Sequence, residues 1–392
     1  MSRTDDHGQI PALTGVRALA AWLVFFHHHR TSLLEVGPLM LWWELHIGVA
    51  LFFVLSGFVI TWRYDRRVSA GKRESFLKGY FVNRFARIYP LYFVLVVPVM
   101  LSYGVRSPSA WLLNLTIFSK YGAGIPQAWS LRVEECFYLL APAIFLLWRR
   151  NPLVPLAAAA AVLAVLYPIT ALPAMVRILG PAQNTLLYSF VGRFFEFYAG
   201  IWLAKRVARA GAAPTRARRF PVWTAAGIAG IAGVVVGLAV LKWAVGPAYM
   251  YGLYHPAGIA VNNLVLPVFI AAFYWGLIRE RSWVRSALST RAANLLGRSS
   301  YAFYLIHINP VLTLVAIAVL APLNRLSPAA AGFLADLLKG RTAARFVFVT
   351  LAAIALYRLV EVPANRFLRR RLGGQADAPA GEPARAGAGA TG

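Results

Sequence analysis

The sequence predicts an all-α integral membrane protein of about ten transmembrane helices, with both termini in the cytoplasm. Three observations carry that expectation. Of the 392 residues, 59% are hydrophobic and only 14% are charged, where a soluble domain has about a quarter charged residues. Apolar stretches close to the roughly 20 residues that a bilayer core requires recur along the chain. Basic residues crowd into alternate connections, the bias that sets orientation in a membrane.

Taken in order, the expected spans are 12–30, 39–62, 88–105, 130–148, 153–171, 185–204, 222–243, 254–278, 299–321 and 343–361. The piece WLLNLTIF at 111–118 is too short to cross and reads as re-entrant or interfacial. The connection 63–87 carries Arg63, Arg66, Arg67, Lys72, Arg73, Lys78, Arg84 and Arg87. Arg149 and Arg150 follow the fourth span, and Lys205, Arg206, Arg209, Arg216, Arg218 and Arg219 fill the connection 205–219. Arg279, Arg281, Arg285, Arg291 and Arg298 follow the eighth span, and Arg366, Arg369, Arg370 and Arg371 the last. These segments are expected on the cytoplasmic side. Residues 1–371 read as one membrane domain, and 372–392, rich in Gly and Ala, as a disordered cytoplasmic tail.

The formal net charge of +26 follows from this loop bias, so the expected partner is the lipid bilayer and not nucleic acid. The lone cysteine, Cys136, excludes an intramolecular disulfide and a cysteine-based metal site. The N-terminus, MSRTDDHGQIPALTG, is too acidic for a signal-peptide lead, so the first span is expected to be retained.

Ionisable residues inside apolar spans are costly and mark function by default. Here they are Arg17, His28 with its neighbours, Glu44, His46, Glu134, Glu135, Arg193, Glu196, His307, Arg358 and Glu361. Arg17 and His28 are eleven positions apart, so on a helix they share a face, separated by about 16 Å along the axis. His27 and His29 diverge to either side, and consecutive histidines cannot converge on one ion, so no metal site is expected. The plain alternative for His28 is an interfacial histidine among headgroups and water. Arg193–Glu196 and Arg358–Glu361 have the i, i+3 spacing of a helical ion pair. Glu134 and Glu135 open an apolar helix and face different directions, so one at most points at any given centre. Their plain alternative is complementing the helix dipole. Ser130 lacks a local base and is expected to cap that helix.

Several of these residues lie in stretches that resemble the acyltransferase-3 family of integral membrane O-acyltransferases. LTGVRALAAWLVFFHH at 13–28 is similar to the family's opening motif, with Arg17 and His28 at the matching positions. GVALFFVLSGFVIT, FVNRFARIYPLYF, WSLRVEECFYLLAP, RFFEFYAGIWLA, LGRSSYAFYLIHINPVL and YRLVEVPANRFLRR resemble its later blocks, in order. Arg132 and Cys136 depart from the small polar residue and the Gln usual there. The esterase-like periplasmic domain appended in some relatives is not expected.

The resemblance implies transfer of an acyl group, by default acetyl, from cytoplasmic acyl-CoA to a hydroxyl of a carbohydrate or secondary-metabolite acceptor, in a multi-pass protein of a bacterial inner membrane. No permanently bound cofactor is implied; acyl-CoA is a substrate. His28 matches the family's essential histidine and is the expected base, since an imidazole titrates near working pH. Glu134 is expected to orient it or to polarise the acceptor, with Glu135 in reserve. Arg17 is expected to hold a CoA phosphate or to fix the helix. Arg193, Glu196, His307 and Ser130 complete the expected donor- and substrate-binding set. A transporter or flippase of lipid-linked sugars would use the same buried polar residues, but such proteins commonly carry internal repeats, and none is visible here.

Overall fold

The computed structural model describes residues 10–29, 35–36, 39–68, 73–117, 124–211 and 220–372. The connections at 69–72 and 212–219, with Lys72, Arg216, Arg218 and Arg219, lie outside the described residues, as does the expected tail from 373. The described chain is almost wholly helical; the exception is a two-residue antiparallel pairing of Glu35 with Met40 and Val36 with Leu39.

Helix α1 (Pro11–His28) is followed by a 3₁₀ segment, Leu41–Ile47, that leads directly into α2 (Gly48–Val68). Then come α3 (Arg73–Ser102), α4 (Pro108–Leu115), α5 (Trp129–Arg150), α6 (Leu153–Ala171), α7 (Pro173–Leu179), α8 (Gln183–Tyr188) and α9 (Phe194–Ala210). The second half holds α10 (Val222–Val245), α11 (Pro256–Ala260), α12 (Leu266–Arg279), α13 (Trp283–Leu288), α14 (Arg291–Arg298), α15 (Ser300–Ile306), α16 (Val311–Leu326), α17 (Pro328–Gly340), α18 (Thr342–Leu356) and α19 (Val362–Leu372). Local chemistry sets many starts. Proline occupies the first turn of α1, α4, α7, α11 and α17, where its missing N–H costs nothing. Ser107, Ser282, Thr290 and Ser327 accept a backbone N–H at the heads of α4, α13, α14 and α17.

Among the described residues, six helices are long and apolar enough to cross a membrane, or seven if the α15–α16 pair, bent by 98°, is one span. Six of the ten expected spans are matched by these helices and a seventh, 299–321, by the bent pair. The other three are α1, α5 and the stretch 185–204. They are helical, but each carries charge among its apolar residues. The stretch 185–204 is also not one helix: a turn at 189–193 separates α8 from α9. These are the segments that hold Arg17, His28, Glu134, Glu135, Arg193 and Glu196, so polar load removes the functional helices from a purely apolar criterion. Helix α17 was not expected at all.

The core is built by close crossing of α2 and α9. A β-carbon at Gly200 would lie 2.1 Å from the Val54 carbonyl oxygen, and one at Gly57 2.3 Å from that of Phe197. Glycine at both positions brings the backbones together. Beside the crossing, Phe53 stacks on Phe197 at 4.9 Å, and Phe137 of α5 stacks on Phe197 at 4.5 Å. All three rings are fully buried. Helices α2, α5 and α9 are thereby fixed against one another, and α1 packs against α2, α14 and α15.

Two π-turns interrupt the regular spans, Val261–Val265 before α12 and Tyr357–Glu361 between α18 and α19. Such turns shift helical register and recur at functional sites.

Candidate active site

Helix α1 carries two polar centres, one around Arg17 and one around His28. At the first, Arg17 Nε donates to Ser300 Oγ at 3.3 Å, and its guanidinium lies 5.8 Å from the Phe52 ring centre. Arg87, Glu134 and Glu361 are the nearby charges that act on it. Glu134 accepts hydrogen bonds from Ser56 of α2 and from Tyr138. Tyr138 follows Glu134 by four residues, so both lie on one face of α5. Arg84 stands 5.4 Å from the Tyr138 ring centre and donates to Tyr64 Oη at 3.4 Å. Glu135 is buried beside it, with Glu134 and Arg84 the charges that act on it. Of the two adjacent carboxylates, Glu134 is the one whose hydrogen bonds tie it to this centre. It is brought to Arg17; no contact among the described residues joins it to His28.

The second centre gathers five of the chain's seven histidines, His27, His28, His29, His46 and His307. The His28 ring centre is 4.7 Å from that of His27 and 5.2 Å from that of His307. His28 is exposed, while His27, His29 and His307 are buried. His27 packs on His46 at 5.6 Å and on Tyr251 at 5.1 Å. His29, just past the end of α1, bonds through Nε2 to the His307 carbonyl oxygen at 2.8 Å and through Nδ1 to Arg345 Nη1 of α18 at 3.2 Å. The α15–α16 break explains the first of these contacts. Ending a helix inside the protein frees carbonyls that need partners, and His29 supplies one. Among the described residues no group of three or more His, Cys, Asp or Glu is placed to hold a metal ion.

Helix α15 bridges the two centres. Ser300, Tyr304 and His307 follow the i, i+4, i+7 repeat of a single helical face. Ser300 meets Arg17, His307 lies beside His28, and between them Tyr304 Oη is 2.7 Å from Ser130 Oγ. Ser130 is not the cap it was expected to be. The 3₁₀ turn Pro126–Ala128 runs straight into α5, which places Ser130 inside the helix with its hydroxyl donating to the Gln127 carbonyl at 3.2 Å.

Arg193 and Glu196 pair as their spacing predicted, through Nε–Oε2 at 2.9 Å and Nη2–Oε1 at 2.8 Å, both side chains buried. Arg193 also donates to Asn263 Oδ1 at 3.3 Å, an acceptor presented by the first π-turn. The pair braces the α8–α9 turn, where Asn263 Nδ2 donates to the Leu186 and Gly192 carbonyls at 2.9 and 3.0 Å. The other expected pair does not form. Glu361 bonds to Arg87 of α3 and not to Arg358, because the π-turn over 357–361 takes residues 358 and 361 out of α-helical register.

Ser56, Arg84, Arg87, Tyr138, Asn263, Ser300, Tyr304 and Arg345 were missed as members of these centres. Tyr138 was within reach of sequence reasoning through its i+4 relation to Glu134. Ser300 and Tyr304 were within reach through their period with His307. Arg345 had no local signal: its partner is 316 residues away.

The family model described as an acyltransferase domain, acyltransferase-3, matches residues 10–358. The chain belongs to this family. It is 28% identical over 338 residues to acyltransferase MdmB of Streptomyces mycarofaciens, covering 76% of this chain and 78% of that protein. It is also 28% identical over 185 residues to peptidoglycan O-acetyltransferase OatA of Listeria monocytogenes, covering 39% of this chain and 27% of the relative. A third relative, nodulation protein 10 of Rhizobium leguminosarum, is 27% identical over 168 residues, 34% of this chain and 44% of that one. No solved structure matches the chain. Family and fold together make it a multi-pass membrane acyltransferase.

Proposed function

We propose that this protein moves an acyl group, by default acetyl, from cytoplasmic acyl-CoA to a hydroxyl of a carbohydrate or related acceptor at the outer face of a bacterial inner membrane. The observation that carries the reading is His28, the exposed imidazole of a largely buried histidine cluster, on the same helix as Arg17. An alcohol is a weak nucleophile at neutral pH, and an imidazole free to exchange protons is the usual remedy. His28 takes the proton of the acceptor hydroxyl as its oxygen attacks the thioester carbonyl. The carbon–sulfur bond breaks, and His28 returns the proton to the CoA thiolate, so the products are the ester and free CoA thiol.

Arg17 sits about 16 Å away along α1. In this reading it meets an anionic part of the donor, while Glu134 with Ser56 and Tyr138 holds the neighbouring helices in register. Both termini lie in the cytoplasm, and the histidine centre opens outward. The carbohydrate acceptor is supported by the likeness to a peptidoglycan O-acetyltransferase.

Membranes of a deletion strain complemented with each variant test the reading. Given radiolabelled acetyl-CoA, the wild type incorporates base-labile ester label, and His28→Ala reduces the rate by about 10² to 10⁴-fold, the usual contribution of a general base. An undiminished rate rejects the assignment. Orientation is tested in a Cys136→Ser background with an impermeant maleimide applied to intact cells. Arg30→Cys is expected to react and Ala70→Cys to stay unlabelled; labelling of the second site inverts the topology.

A further inference from the structure

The three consecutive histidines contribute to the centre in different ways, and hydrogen-bond chemistry alone assigns protons to two of its rings. Arg345 can only donate, so His29 Nδ1, 3.2 Å from Arg345 Nη1, must be a lone pair. His29 Nε2 therefore carries the proton and donates to the His307 carbonyl at 2.8 Å. Arg345 is itself held to the end of α17 through the Leu338 carbonyl, at 3.1 Å from Nε and 2.9 Å from Nη2. This clamp fixes the broken end of α15 against α1.

The same logic applies to His307. Its Nδ1 lies 2.6 Å from the Tyr304 carbonyl oxygen, which can only accept, so Nδ1 carries a proton. In the neutral ring Nε2 is then a lone pair. The ring is fully buried and Nε2 has no hydrogen-bond partner among the described residues, an arrangement that costs free energy unless something pairs with it. Of the neighbouring imidazoles, His29 is engaged at both nitrogens and His27 packs away against His46 and Tyr251. His28 remains, exposed, with its ring centre 5.2 Å away. Two imidazoles joined by an N–H···N bond have centres roughly 5 Å apart.

We infer that His307 is the positioning residue of the reaction centre: when the exposed His28 ring turns its N–H toward it, His307 Nε2 accepts that N–H and leaves the other His28 nitrogen free to take the acceptor's proton. The inference rests on His28 being the base. The titratable and charged groups facing His28 and His307 are His27, His29, His46 and Tyr304, with Arg345 behind His29. Neutral His307 stabilises the His28 imidazolium that forms during transfer, as a third group orients the base in other acyl-transfer sites.

The test compares two replacements in the radiolabelled acetyl-CoA membrane assay, across pH, with rates normalised to folded protein. His307→Asn keeps an amide N–H near the Tyr304 carbonyl but removes the acceptor at Nε2. His307→Gln supplies a carbonyl oxygen near the lost Nε2. The Asn variant is expected to lower Vmax by about tenfold to a hundredfold, the loss of one charge-assisted hydrogen bond. Its apparent KM for acetyl-CoA stays unchanged, and its acid limb moves to lower pH, because His28 becomes a weaker base. The Gln variant is expected to recover part of the rate. Equal loss in both variants with an unmoved acid limb would reduce His307 to a packing role and overturn the inference. So would a wild-type rate in the Asn variant while His28→Ala is inactive. If His28→Ala itself keeps its rate, the base assignment fails, and this inference with it.

Discussion

The two centres on α1 differ in the kind of group they gather and in how those groups are paired. Around Arg17 each central charge has a hydrogen-bond partner of its own: Glu134 accepts from Ser56 and Tyr138, Glu361 accepts from Arg87, and Arg17 donates to Ser300, while Glu361 Oε2, Glu135 Oε1 and Arg84 Nε are buried without one among the described residues. Around His28 the groups are mostly imidazoles, and the buried atoms His27 Nδ1, His46 Nε2, His307 Nε2 and Glu44 Oε2 have no hydrogen-bond partner among the described residues. Charges held by partners rigidify the helices that carry them, whereas an imidazole nitrogen without a partner is free to take one up from a substrate or a turning side chain. The contrast assigns structure and donor anchoring to the Arg17 centre, and chemistry to the histidine centre. Substitutions at the first should therefore appear mainly in stability, and those at the second mainly in rate.

The largest stability effect is expected for Arg87→Met, which leaves Glu361 buried without its cation. Losing one member of such a pair costs about 3 kcal/mol, read as a lowered melting midpoint in detergent. An unchanged midpoint would mean that this network is dispensable. Next come Ser56→Ala and Tyr138→Phe, each removing one donor to Glu134 at about 2 kcal/mol. Their double mutant should fall short of the sum, because the two share an acceptor; strict additivity would separate them. The smallest effect is expected at the histidine centre. His46→Leu removes one hydrogen bond, to the Glu44 carbonyl at 2.8 Å, and should cost about 1 kcal/mol. A loss as large as that of Arg87→Met would erase the distinction between the centres.

How much of this was legible in the sequence depended on reach. The common face of Arg17 and His28, and the pairing of Arg193 with Glu196, follow from helical period alone. Glu134 with Tyr138, and Ser300 with Tyr304 and His307, obey the same period but acquire meaning only once α1, α2, α5 and α15 are packed together. The contribution of His29 depended on a helix break 278 residues away, and that of His27 on the 3₁₀ segment carrying His46. The Arg358–Glu361 expectation failed because a π-turn shifts register without any composition that announces it. Span counting met a related limit. In the apolar stretch of 153–171 only 6% of the residues are buried, against 78% in that of 41–64. Hydropathy therefore recognises lipid-facing scaffold and buried core alike. The polar helices at the site, α1, α5 and α9, are the ones it recognises least well.

The division between the centres is tested most directly by measuring apparent Vmax and apparent KM for acetyl-CoA in the same membranes for His28→Gln and Arg17→Gln. The account predicts that His28→Gln lowers Vmax by at least about a hundredfold with KM little changed. Arg17→Gln should raise KM about tenfold, the loss of one charge-assisted contact, with Vmax retained. A wild-type Vmax for His28→Gln, or an Arg17→Gln variant that loses Vmax while keeping its KM, would contradict it.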